Sequence, residues 1–586
     1  MNSIAGAFPV LKDVFGFDGF RGRQEEVVAR VLDGRSTLAV MPTGAGKSLT
    51  YHLPAVMREG TCVVISPLIA LMHDQLRSAR ANGIRAATLT SADADWRETQ
   101  DAFRAGALDL LYVAPERASQ PAFREFLSSA PLSLFAIDEA HCVSEWGHDF
   151  RPDYRLLRGM LDAFPQVPRL ALTATADKQT RADVMAQLGI PEDGLVLAGF
   201  DRPNIRYAIR HRDNPVRQLT SLMAGAPGPG IVYAQTRRKV EELAEKLAAA
   251  TGRSVRPYHA GLDPEVRAAN QAAFVASEEM VIVATVAFGM GIDKPDVRFV
   301  AHVGVPKSIE GYYQETGRAG RDGDPSQAVM FWGAGDFATA RQRLAEVDEA
   351  RRNSERARLD ALAGLVETAE CRRAVLLRHF GEHPPASCGN CDNCLEQPCV
   401  TDVTELARKL LSAVYRTGQS FGMGHVQKVL TGNEDERVRQ RGHDRLSVFG
   451  IVEGDEARLL QPLSRARRDL VATEHGGLAL GGSARAILKG ESSVEIVIPP
   501  KRQRGRRSDA TPNPVGDPLF EALRALRKEL AEEAQVPPYV IFHDSTLREM
   551  AAARPASLGD LGRLPGIGAK KLDAYGERFL EAIARN

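Results

Sequence analysis

The chain has 586 residues, of which 44% are hydrophobic and 26% charged, so its composition is that of a globular protein rather than a disordered or fibrous one. This length excludes a single hydrophobic core, and several domains are expected. Lys and Arg together number 75, as do Asp and Glu, so the net charge indicates neither an acidic nor a basic partner. No apolar run approaches the roughly 20 residues that span a bilayer, and a secretory signal is lacking, which predicts a cytosolic protein with no membrane partner.

Apolar, strand-like runs alternate with helical periods through the first 340 residues. The first set of runs lies at 62–65, 108–113, 132–137 and 169–172, and the second at 230–233, 281–284 and 299–303. Such alternation is typical of parallel sheets covered by helices on both faces. We therefore predict two tandem α/β domains, over residues 1–205 and 206–340.

A glycine-rich loop, Met41-Pro42-Thr43-Gly44-Ala45-Gly46-Lys47-Ser48, follows the apolar run 36–40 and precedes a helical segment. A strand, such a loop and a helix N-terminus form a phosphate cradle, because backbone N–H groups and the helix dipole point at one anionic spot. Thr43, Gly44 and Gly46 are expected to line it. Lys47 is predicted to reach the β- and γ-phosphates, and Ser48 to bind Mg²⁺. Met41 stands where the pattern usually has glycine, so a plain strand-to-helix turn is the alternative.

Two acidic residues, Asp138 and Glu139, directly follow the apolar run 134–137. Ligands of open parallel sheets bind beyond the carboxyl ends of the strands, where these two residues are expected to lie. In nucleotide hydrolysis an Asp at such a position holds Mg²⁺, and an adjacent Glu orients and deprotonates the attacking water. An acidic surface turn is the alternative.

The second α/β domain contains two arginines, Arg318 and Arg321, in the segment 314–323. Their spacing places them on the same side of a helix end. A guanidinium supplied by a neighbouring domain can neutralise the charge that develops on the γ-phosphate, and Arg321 is the preferred candidate for this role. ATP would then lie in the cleft between the two domains. Salt bridges of the arginines to Glu315 and Asp322 are the alternative.

Seven cysteines are an odd number for a disulfide framework, and Cys388, Cys391 and Cys394 form two successive Cys-x-x-Cys spacings. Three thiolates so spaced can converge on one ion, and a fourth completes a closed tetrahedral site of the kind that holds structural zinc. Cys371 can supply the fourth ligand from a preceding helix. Cys399 competes for this position on spacing alone.

The remaining chain is predicted to contain a zinc-binding region (341–401), a winged helix (402–499), a flexible basic linker (500–518) and a small helical domain (519–586). The run Lys501 to Arg507 gives the linker its positive charge, which can add nonspecific affinity for phosphates. Apolar alternation around Gly476-Gly477 predicts a hairpin, and His475 near its tip could wedge a duplex open or lie in a solvent-exposed turn. Lys570 and Lys571 follow a Gly-x-Gly turn that can present N–H groups to a DNA phosphate, with a compact bundle and solvated lysines as the alternative.

Together these motifs resemble the RecQ family of DNA helicases of superfamily two, over nearly the whole chain. The resemblance also rests on Phe15-Gly16-Phe17 with Phe20-Arg21 and Gln24, and on the segments 66–72, 172–176, 230–233 and 284–293. It implies that the two α/β domains are RecA-like lobes and that the last domain is a helicase-and-RNase-D C-terminal (HRDC) domain. It also implies that Gln24 reads the adenine edge beside Phe17 and Arg21, and that Cys371 is the fourth zinc ligand.

The family resemblance further assigns the loop 142–152 to single-stranded DNA binding coupled to ATP hydrolysis. Trp146 and Phe150 offer aromatic faces on which bases can stack, and Arg151 adds positive charge. An aromatic plug between the two domains is the alternative. Thr173, Thr175 and His141 would link the nucleotide cleft to the DNA face.

The implied activity is ATP-dependent, 3′ to 5′ unwinding of duplex or forked DNA in recombination and repair, with ATP, Mg²⁺ and Zn²⁺ as cofactors. The partners expected from the resemblance are single-stranded and forked DNA, the single-strand-binding protein and other repair proteins. A monomeric, nucleoid-associated bacterial protein is expected. The competing hypotheses are an RNA helicase and a binding or annealing protein that ATP switches without strand separation.

Overall fold

The computed structural model describes residues 3–67, 69–90, 95–144, 150–289, 294–344, 349–465, 470–472, 477–482, 484–498, 517–534 and 536–586. The chain forms two compact units. One comprises Met1–Trp332, Arg373–Pro385 and Arg507–Asn586, and the other comprises Gly333–Arg372 and Ala386–Arg506. None of the helices in the described ranges is long and apolar enough to cross a membrane.

The first lobe is built on a seven-stranded sheet in the order β3-β4-β2-β5-β6-β1-β7, in which neighbouring strands pair in parallel. Its strands are β1 (Thr37–Val40), β2 (Thr61–Ile65), β3 (Ala86–Leu89), β4 (Leu110–Val113), β5 (Leu132–Ile137), β6 (Arg169–Thr173) and β7 (Leu195–Leu197). Its helices are α1 (Ile4–Phe15), α2 (Gln24–Leu32), α3 (Leu49–Met57), α4 (Ile69–Ala81), α5 (Trp96–Arg104), α6 (Pro115–Ala118), α7 (Pro121–Leu127), α8 (Pro152–Leu161) and α9 (Lys178–Leu188). Strands β1 and β2 are buried along their whole length, which explains their continuous apolar runs.

The second lobe repeats this plan with six parallel strands in the order β10-β11-β9-β12-β13-β8. Its strands are β8 (Ile205–His211), β9 (Gly230–Ala234), β10 (Val255–Tyr258), β11 (Val281–Ala284), β12 (Phe299–Val303) and β13 (Ser326–Trp332). Its helices are α10 (Pro215–Gly225), α11 (Arg237–Thr251), α12 (Pro264–Ala276) and α13 (Ile309–Thr316). The prediction of two parallel-sheet domains in tandem is confirmed. Strand β8 already begins at Ile205, the residue at which the first lobe was predicted to end.

The other compact unit contains mostly helices and two small antiparallel sheets. Its helices are α14 (Ala334–Leu344), α15 (Glu349–Glu367), α17 (Asp392–Leu395), α18 (Thr404–Arg416), α19 (Met423–Leu430), α20 (Glu436–Gln440), α21 (Gly454–Arg465) and α22 (Ala484–Lys489), and α16 (Arg372–His379) begins at its border. Strand β14 (Cys399–Asp402) pairs with β17 (Glu495–Ile498), and β15 (Leu470–Ala472) pairs with β16 (Leu478–Leu480). The β15–β16 pair lies where the hairpin is predicted, while His475 and the basic run 501–507 lie outside the described residues.

The terminal module consists of α23 (Pro518–Glu533), α24 (Pro538–Ile541), α25 (Asp544–Ala553), α26 (Leu558–Leu561) and α27 (Ala569–Arg585) around a core of its own. It belongs to the compact unit of the two lobes and contacts both of them. The backbone N–H of Gly566 donates to the carbonyl oxygen of Gly16 in the first lobe, at 2.8 Å. In the second lobe, Glu278 accepts from Arg527 Nη2 at 2.6 Å.

Candidate nucleotide cleft and metal centre

The phosphate loop connects the buried strand β1 to helix α3, as the sequence predicts. Gly44 and Gly46 adopt φ values of +83° and +71°, which residues with a side chain rarely adopt. Ser48 directly precedes the first residue of α3, so its backbone N–H and those that follow belong to the helix N-terminus. Lys47 Nζ lies 3.4 Å from the carbonyl oxygen of Met41, with its stem along the loop. This arrangement of strand, glycine-rich loop and helix N-terminus is compatible with the predicted phosphate cradle.

Gln24, predicted to read adenine, is in direct contact with the phosphate loop. Its Nε2 donates to the carbonyl oxygens of Ala45 at 2.8 Å and Gly46 at 3.2 Å, and its Oε1 accepts from the backbone N–H of Arg21. The Arg21 guanidinium carbon lies 5.7 Å from the centre of the Phe17 ring. The three residues predicted to hold the base therefore cluster beside the loop that holds the phosphates.

Asp138 and Glu139 lie directly beyond the carboxyl end of β5, close to Lys47. Burial, and next the charge of Glu139, raise the pKa of Asp138, while the Lys47 ammonium opposes this shift. Glu139 has a φ of +48°, an uncommon conformation for a residue with a side chain. Such strain at a polar, buried turn is typical of functional sites and argues against an ordinary acidic surface turn.

The residues predicted to link the cleft to the DNA face form a continuous chain of polar contacts. Glu139 Oε2 lies 3.4 Å from His141 Nδ1, and this nitrogen lies 2.9 Å from Thr173 Oγ1. The Thr173 hydroxyl in turn accepts from the backbone N–H of Thr175 at 3.3 Å. These contacts connect Glu139 to Thr173, the last residue of β6. Tyr154 was not predicted for the site: its hydroxyl donates to the carbonyl oxygen of Asp138, and no sequence spacing indicated this contact.

Arg318 and Arg321 lie in a turn directly after helix α13, which ends at Thr316. The predicted helix end is therefore a little shorter, and the arginines follow it. The acids proposed as their alternative partners are engaged elsewhere. Glu315 lies 2.7 Å from His302 Nε2, and Asp322 is bonded to Arg298. This pairing weakens the alternative that the two arginines are held only by salt bridges to these acids.

The arginine turn of the second lobe lies against the phosphate loop of the first. A Cβ atom on Gly44 would lie 3.3 Å from Arg321 Cγ, so the Arg321 side chain lies close to the loop. A Cβ atom on Gly317 would lie 2.5 Å from Thr43 Oγ1, which leaves room only for glycine. The structure thus brings together the predicted phosphate loop and the predicted arginine, although they are far apart in sequence.

Of the residues predicted to bind DNA in the aromatic loop, Phe150 and Arg151 are described and Trp146 lies outside the described residues. The Arg155 guanidinium carbon lies 5.6 Å from the centre of the Phe150 ring. Arg151 Nη1 donates to the carbonyl oxygen of Pro67, which belongs to the motif segment 66–72. This bond ties the aromatic loop to the motif segment 66–72 within the first lobe.

Lys570 and Lys571 follow the Gly-x-Gly turn of the terminal module, and this turn packs on the first lobe. A Cβ atom on Gly16 would lie 2.7 Å from the backbone nitrogen of Gly568. Lys570 Nζ donates to the carbonyl oxygen of Arg80 at 2.9 Å, and burial lowers the pKa of Lys571 to about 8. Their predicted contacts with DNA stay a prediction.

The four predicted metal ligands converge, and the fit to a metal is close. The sulfur atoms of Cys371, Cys388, Cys391 and Cys394 all lie within 4.8 Å of one another. A tetrahedron of Zn–S bonds of about 2.3 Å has sulfur separations of about 3.8 Å, and three pairs of these sulfur atoms lie 3.4 to 3.9 Å apart. Cys391 is fully buried, so unligated thiolates there would be costly.

Side chains around the cysteine cluster hold its two halves together. Arg372 Nε donates to Asp392 Oδ1 at 3.1 Å, and Asn393 Nδ2 donates to the carbonyl oxygen of Glu370 at 2.7 Å. Ser387 Oγ lies 3.2 Å from Cys394 Sγ. Such outer contacts fix the orientation of metal ligands. Cys399, the competing fourth ligand, is the first residue of β14, and its side chain lies outside the described residues.

The winged-helix region carries a compact aromatic and basic cluster. The rings of Phe421 and His425 stack with centres 4.3 Å apart, and His425 Nε2 lies 2.8 Å from His443 Nδ1. The guanidinium carbons of Arg437 and Arg441, both exposed, lie 5.6 and 5.9 Å from the Phe421 ring centre. The segments 421–424 and 441–444, which resemble the family's winged-helix signature, therefore meet at one surface.

Family models match consecutive parts of the chain. They are a DEAD/DEAH box helicase (21–184), a helicase conserved C-terminal domain (214–323), a RecQ zinc-binding region (334–395), an RQC domain (397–505) and an HRDC domain (517–583). These matches follow the predicted order of lobes, zinc-binding region, winged helix and terminal domain.

The chain is similar to known proteins over almost its whole length. It is 41% identical to the ATP-dependent DNA helicase RecQ of Haemophilus influenzae, over 98% of this chain and 95% of that protein. It is 37% identical to the protein of the same name in Bacillus subtilis, over 98% of both. Among solved structures, the helicase Lhr of Mycobacterium smegmatis bound to single-stranded DNA and AMP-PNP is 18% identical, with a TM-score of 0.48 over 99% of this chain and 93% of that one.

Proposed function

The chain belongs to the RecQ family of ATP-dependent DNA helicases, and we propose that it couples closure of its two lobes on ATP to 3′ to 5′ movement along single-stranded DNA. It is a helicase with ATPase activity, and ATP, Mg²⁺ and Zn²⁺ are its cofactors. Its nucleic-acid partner is DNA. Unwinding of duplex and forked DNA in recombination and repair is the corresponding biological role.

One observation carries the proposal: the phosphate loop of the first lobe and the arginine turn of the second lobe meet at a single cleft. A Cβ atom on Gly44 would lie only 3.3 Å from Arg321 Cγ. Hydrolysis that needs groups from both lobes can proceed only when the lobes are together, so the reaction is coupled to their relative movement. Repeated closing and opening then advances the lobes along the strand.

We assign the following roles to the cleft residues. Thr43, Gly44, Gly46 and Lys47 bind the phosphates, and Ser48 and Asp138 are the residues that would hold Mg²⁺, which neutralises phosphate charge when bound. Glu139 deprotonates the attacking water. Arg321, assisted by Arg318, balances the negative charge that develops on the γ-phosphate. Gln24, Phe17 and Arg21 bind the adenine.

Single-stranded DNA is proposed to bind the aromatic loop through Trp146, Phe150 and Arg151, with His475, Lys570 and Lys571 as further contacts. Support comes from the contact of Arg151 with Pro67. The polar contacts between Glu139 and Thr175 also support it, because DNA binding can affect Glu139 through them. The direction of movement, a monomeric state, nucleoid association and partnership with the single-strand-binding protein rest on family membership alone.

Strand displacement tests the function and its direction together. A labelled strand is displaced from duplexes that carry either a 3′ or a 5′ single-stranded tail, with Lys47→Ala as the inactive control. We expect ATP-driven displacement from the 3′-tailed duplex alone. Displacement from the 5′-tailed duplex alone would reverse the proposed direction. ATP hydrolysis without displacement of either strand would favour a translocase or an ATP-switched binding protein.

A further inference from the structure

Arg202 lies in the connection between β7, the last strand of the first sheet, and β8, the first strand of the second. Its guanidinium makes four hydrogen bonds to backbone carbonyl oxygens. Nη1 donates to Thr43 at 2.7 Å and to Gly317 at 3.0 Å. Nη2 donates to Ala319 at 2.8 Å and to Gly320 at 2.9 Å. One side chain therefore joins the phosphate loop of the first lobe to the arginine turn of the second.

The carbonyl groups that Arg202 binds in the second lobe come directly after helix α13. Backbone carbonyl groups just beyond a helix end have no partners inside the helix, and a basic side chain can satisfy them. Here a guanidinium from the interlobe connection performs this role, and it fixes the path of the backbone that carries Arg318 and Arg321. Asn204, two residues further along the connection, donates from Nδ2 to the carbonyl oxygens of Gly320 and Asp324 and holds the same turn from its other end.

The four bonds divide unequally between the lobes. Three hold the arginine turn and remain available whenever the second lobe is intact, whereas only the bond to Thr43 reaches the first lobe. That bond requires the two lobes to lie as close together as they do in this structure. The planar fork of arginine is suited to this task, because it presents donors in fixed directions to several acceptors.

We propose that Arg202 is a positioning residue for ATP hydrolysis. It holds the arginine turn close enough to the phosphate loop for Arg321 to act on the γ-phosphate, and its bond to Thr43 stabilises the closed cleft. This inference rests on the proposed role of Arg321 in hydrolysis. Arg202 itself acts on the nucleotide through the turn it holds. A lysine at this position keeps the positive charge but cannot reach four carbonyl groups in the same geometry.

The test compares Arg202→Lys with Arg321→Ala and with the double variant, in steady-state ATP hydrolysis with saturating single-stranded DNA. We expect Arg202→Lys to lower kcat by about 10- to 100-fold, since displacement of a catalytic group by about 1 Å can cost about 100-fold. The KM for ATP and the affinity for a fluorescent ATP analogue should change by less than about threefold, because the phosphate loop itself is intact. The double variant should be no slower than Arg321→Ala alone, because both changes remove the same contribution.

Arg253→Lys is the matched control. Arg253 also donates to backbone carbonyl oxygens, those of Met223, Gly228 and Glu279, but within the second lobe away from the cleft. Its substitution should leave kcat unchanged, and thermal melting of all variants identifies any that fail to fold. An Arg202→Lys enzyme with normal kcat, or rate losses that multiply in the double variant, would overturn the proposal while Arg321→Ala still tests the proposed function. An unaffected Arg321→Ala enzyme would overturn both.

Discussion

Two candidate metal sites among the described residues, the nucleotide cleft and the cysteine cluster, are built in opposite ways. The cluster takes its four ligands from a stretch between Cys371 and Cys394, and the sulfur atoms already lie within 4.8 Å of one another. The proposed cleft site takes Ser48 and Asp138 from segments that follow different strands of one lobe, β1 and β5, and its arginines from the other lobe. The cluster is closed by protein ligands alone, whereas the cleft is completed by its substrate.

The electrostatics of the two sites follow from this difference. In the cleft, burial and the neighbouring Glu139 raise the pKa of Asp138, and Glu139 adopts a strained φ of +48°. A charge arrangement that is unfavourable without a cation is suited to binding one transiently, together with the nucleotide. In the cluster, hydrogen bonds of Arg372 and Asn393 hold the segments that carry the ligands. Four thiolates complete a tetrahedral site, so no position is open to a substrate. One site is organised for turnover and the other for stability.

Removal of the general base is expected to have the largest effect and tests whether the cleft is organised for turnover. Glu139→Gln keeps the shape of the side chain but removes its ability to accept a proton. We expect kcat for ATP hydrolysis to fall by about 100- to 10,000-fold, while a fluorescent ATP analogue still binds. Steady-state hydrolysis and fluorescence titration measure the two effects separately.

Glu116→Gln is the control, because Glu116 is an exposed carboxylate in α6 of the same lobe. Its hydrolysis rate should equal that of the unmodified protein. A Glu139→Gln variant that hydrolyses ATP at a near-normal rate would remove Glu139 from the mechanism and leave only Asp138 among the acids of the cleft.

Removal of one thiolate ligand should show most clearly that the two sites differ. Cys391→Ser is expected to abolish stoichiometric zinc binding, because Cys391 is fully buried among the other ligands, and to lower the melting temperature. Cys399→Ser should retain one zinc per chain. Zinc is measured by elemental analysis of purified protein, and melting by calorimetry. Zinc loss in Cys399→Ser with retention in Cys371→Ser would reverse the choice of the fourth ligand.

The same contrast explains what the sequence could predict. The cluster and the phosphate loop are local, so residue spacing alone was enough to predict that Cys388, Cys391 and Cys394 converge and that Lys47 lies in a loop between a strand and a helix. The sequence also predicted that Arg321 would meet the phosphate loop, on the strength of a mechanism that needs both lobes.

The contacts that could not be predicted from the sequence are made by side chains that belong to no local sequence pattern. Arg202 and Tyr154 act through backbone carbonyl groups of distant segments, and nothing in their neighbouring residues indicates which carbonyl groups these will be. The packing of the Gly566 turn on the first lobe was likewise unpredictable, because it depends on how two folded domains fit together. The turn had been expected to face DNA.

A third, smaller effect tests whether DNA binding changes ATP hydrolysis in the cleft without changing zinc binding by the cluster. Trp146→Ala should remove most of the stimulation of ATP hydrolysis by single-stranded DNA, since base stacking on an aromatic ring contributes about 1–3 kcal/mol per base. Nucleotide affinity and zinc content should not change. Trp96→Ala, which replaces an exposed tryptophan of α5 in the same lobe, is the control. Equal stimulation in the Trp146→Ala and Trp96→Ala proteins would contradict the coupling role.

The smallest expected effect concerns the Mg²⁺ ligand of the phosphate loop. Ser48→Ala removes one oxygen ligand from a cation that retains Asp138, the nucleotide phosphates and water, so the site is weakened rather than lost. We expect about tenfold more Mg²⁺ to be needed for half-maximal ATP hydrolysis, with a nearly normal rate at saturation, and this is measured by Mg²⁺ titration at fixed ATP. For the cysteine cluster we expect the metal to be lost when one ligand is removed, because no substrate can take the place of a missing thiolate. If Ser48→Ala abolished hydrolysis at every Mg²⁺ concentration, the cleft would be as intolerant of ligand loss as the cluster. The distinction between a site completed by its substrate and a site closed by protein would then no longer hold.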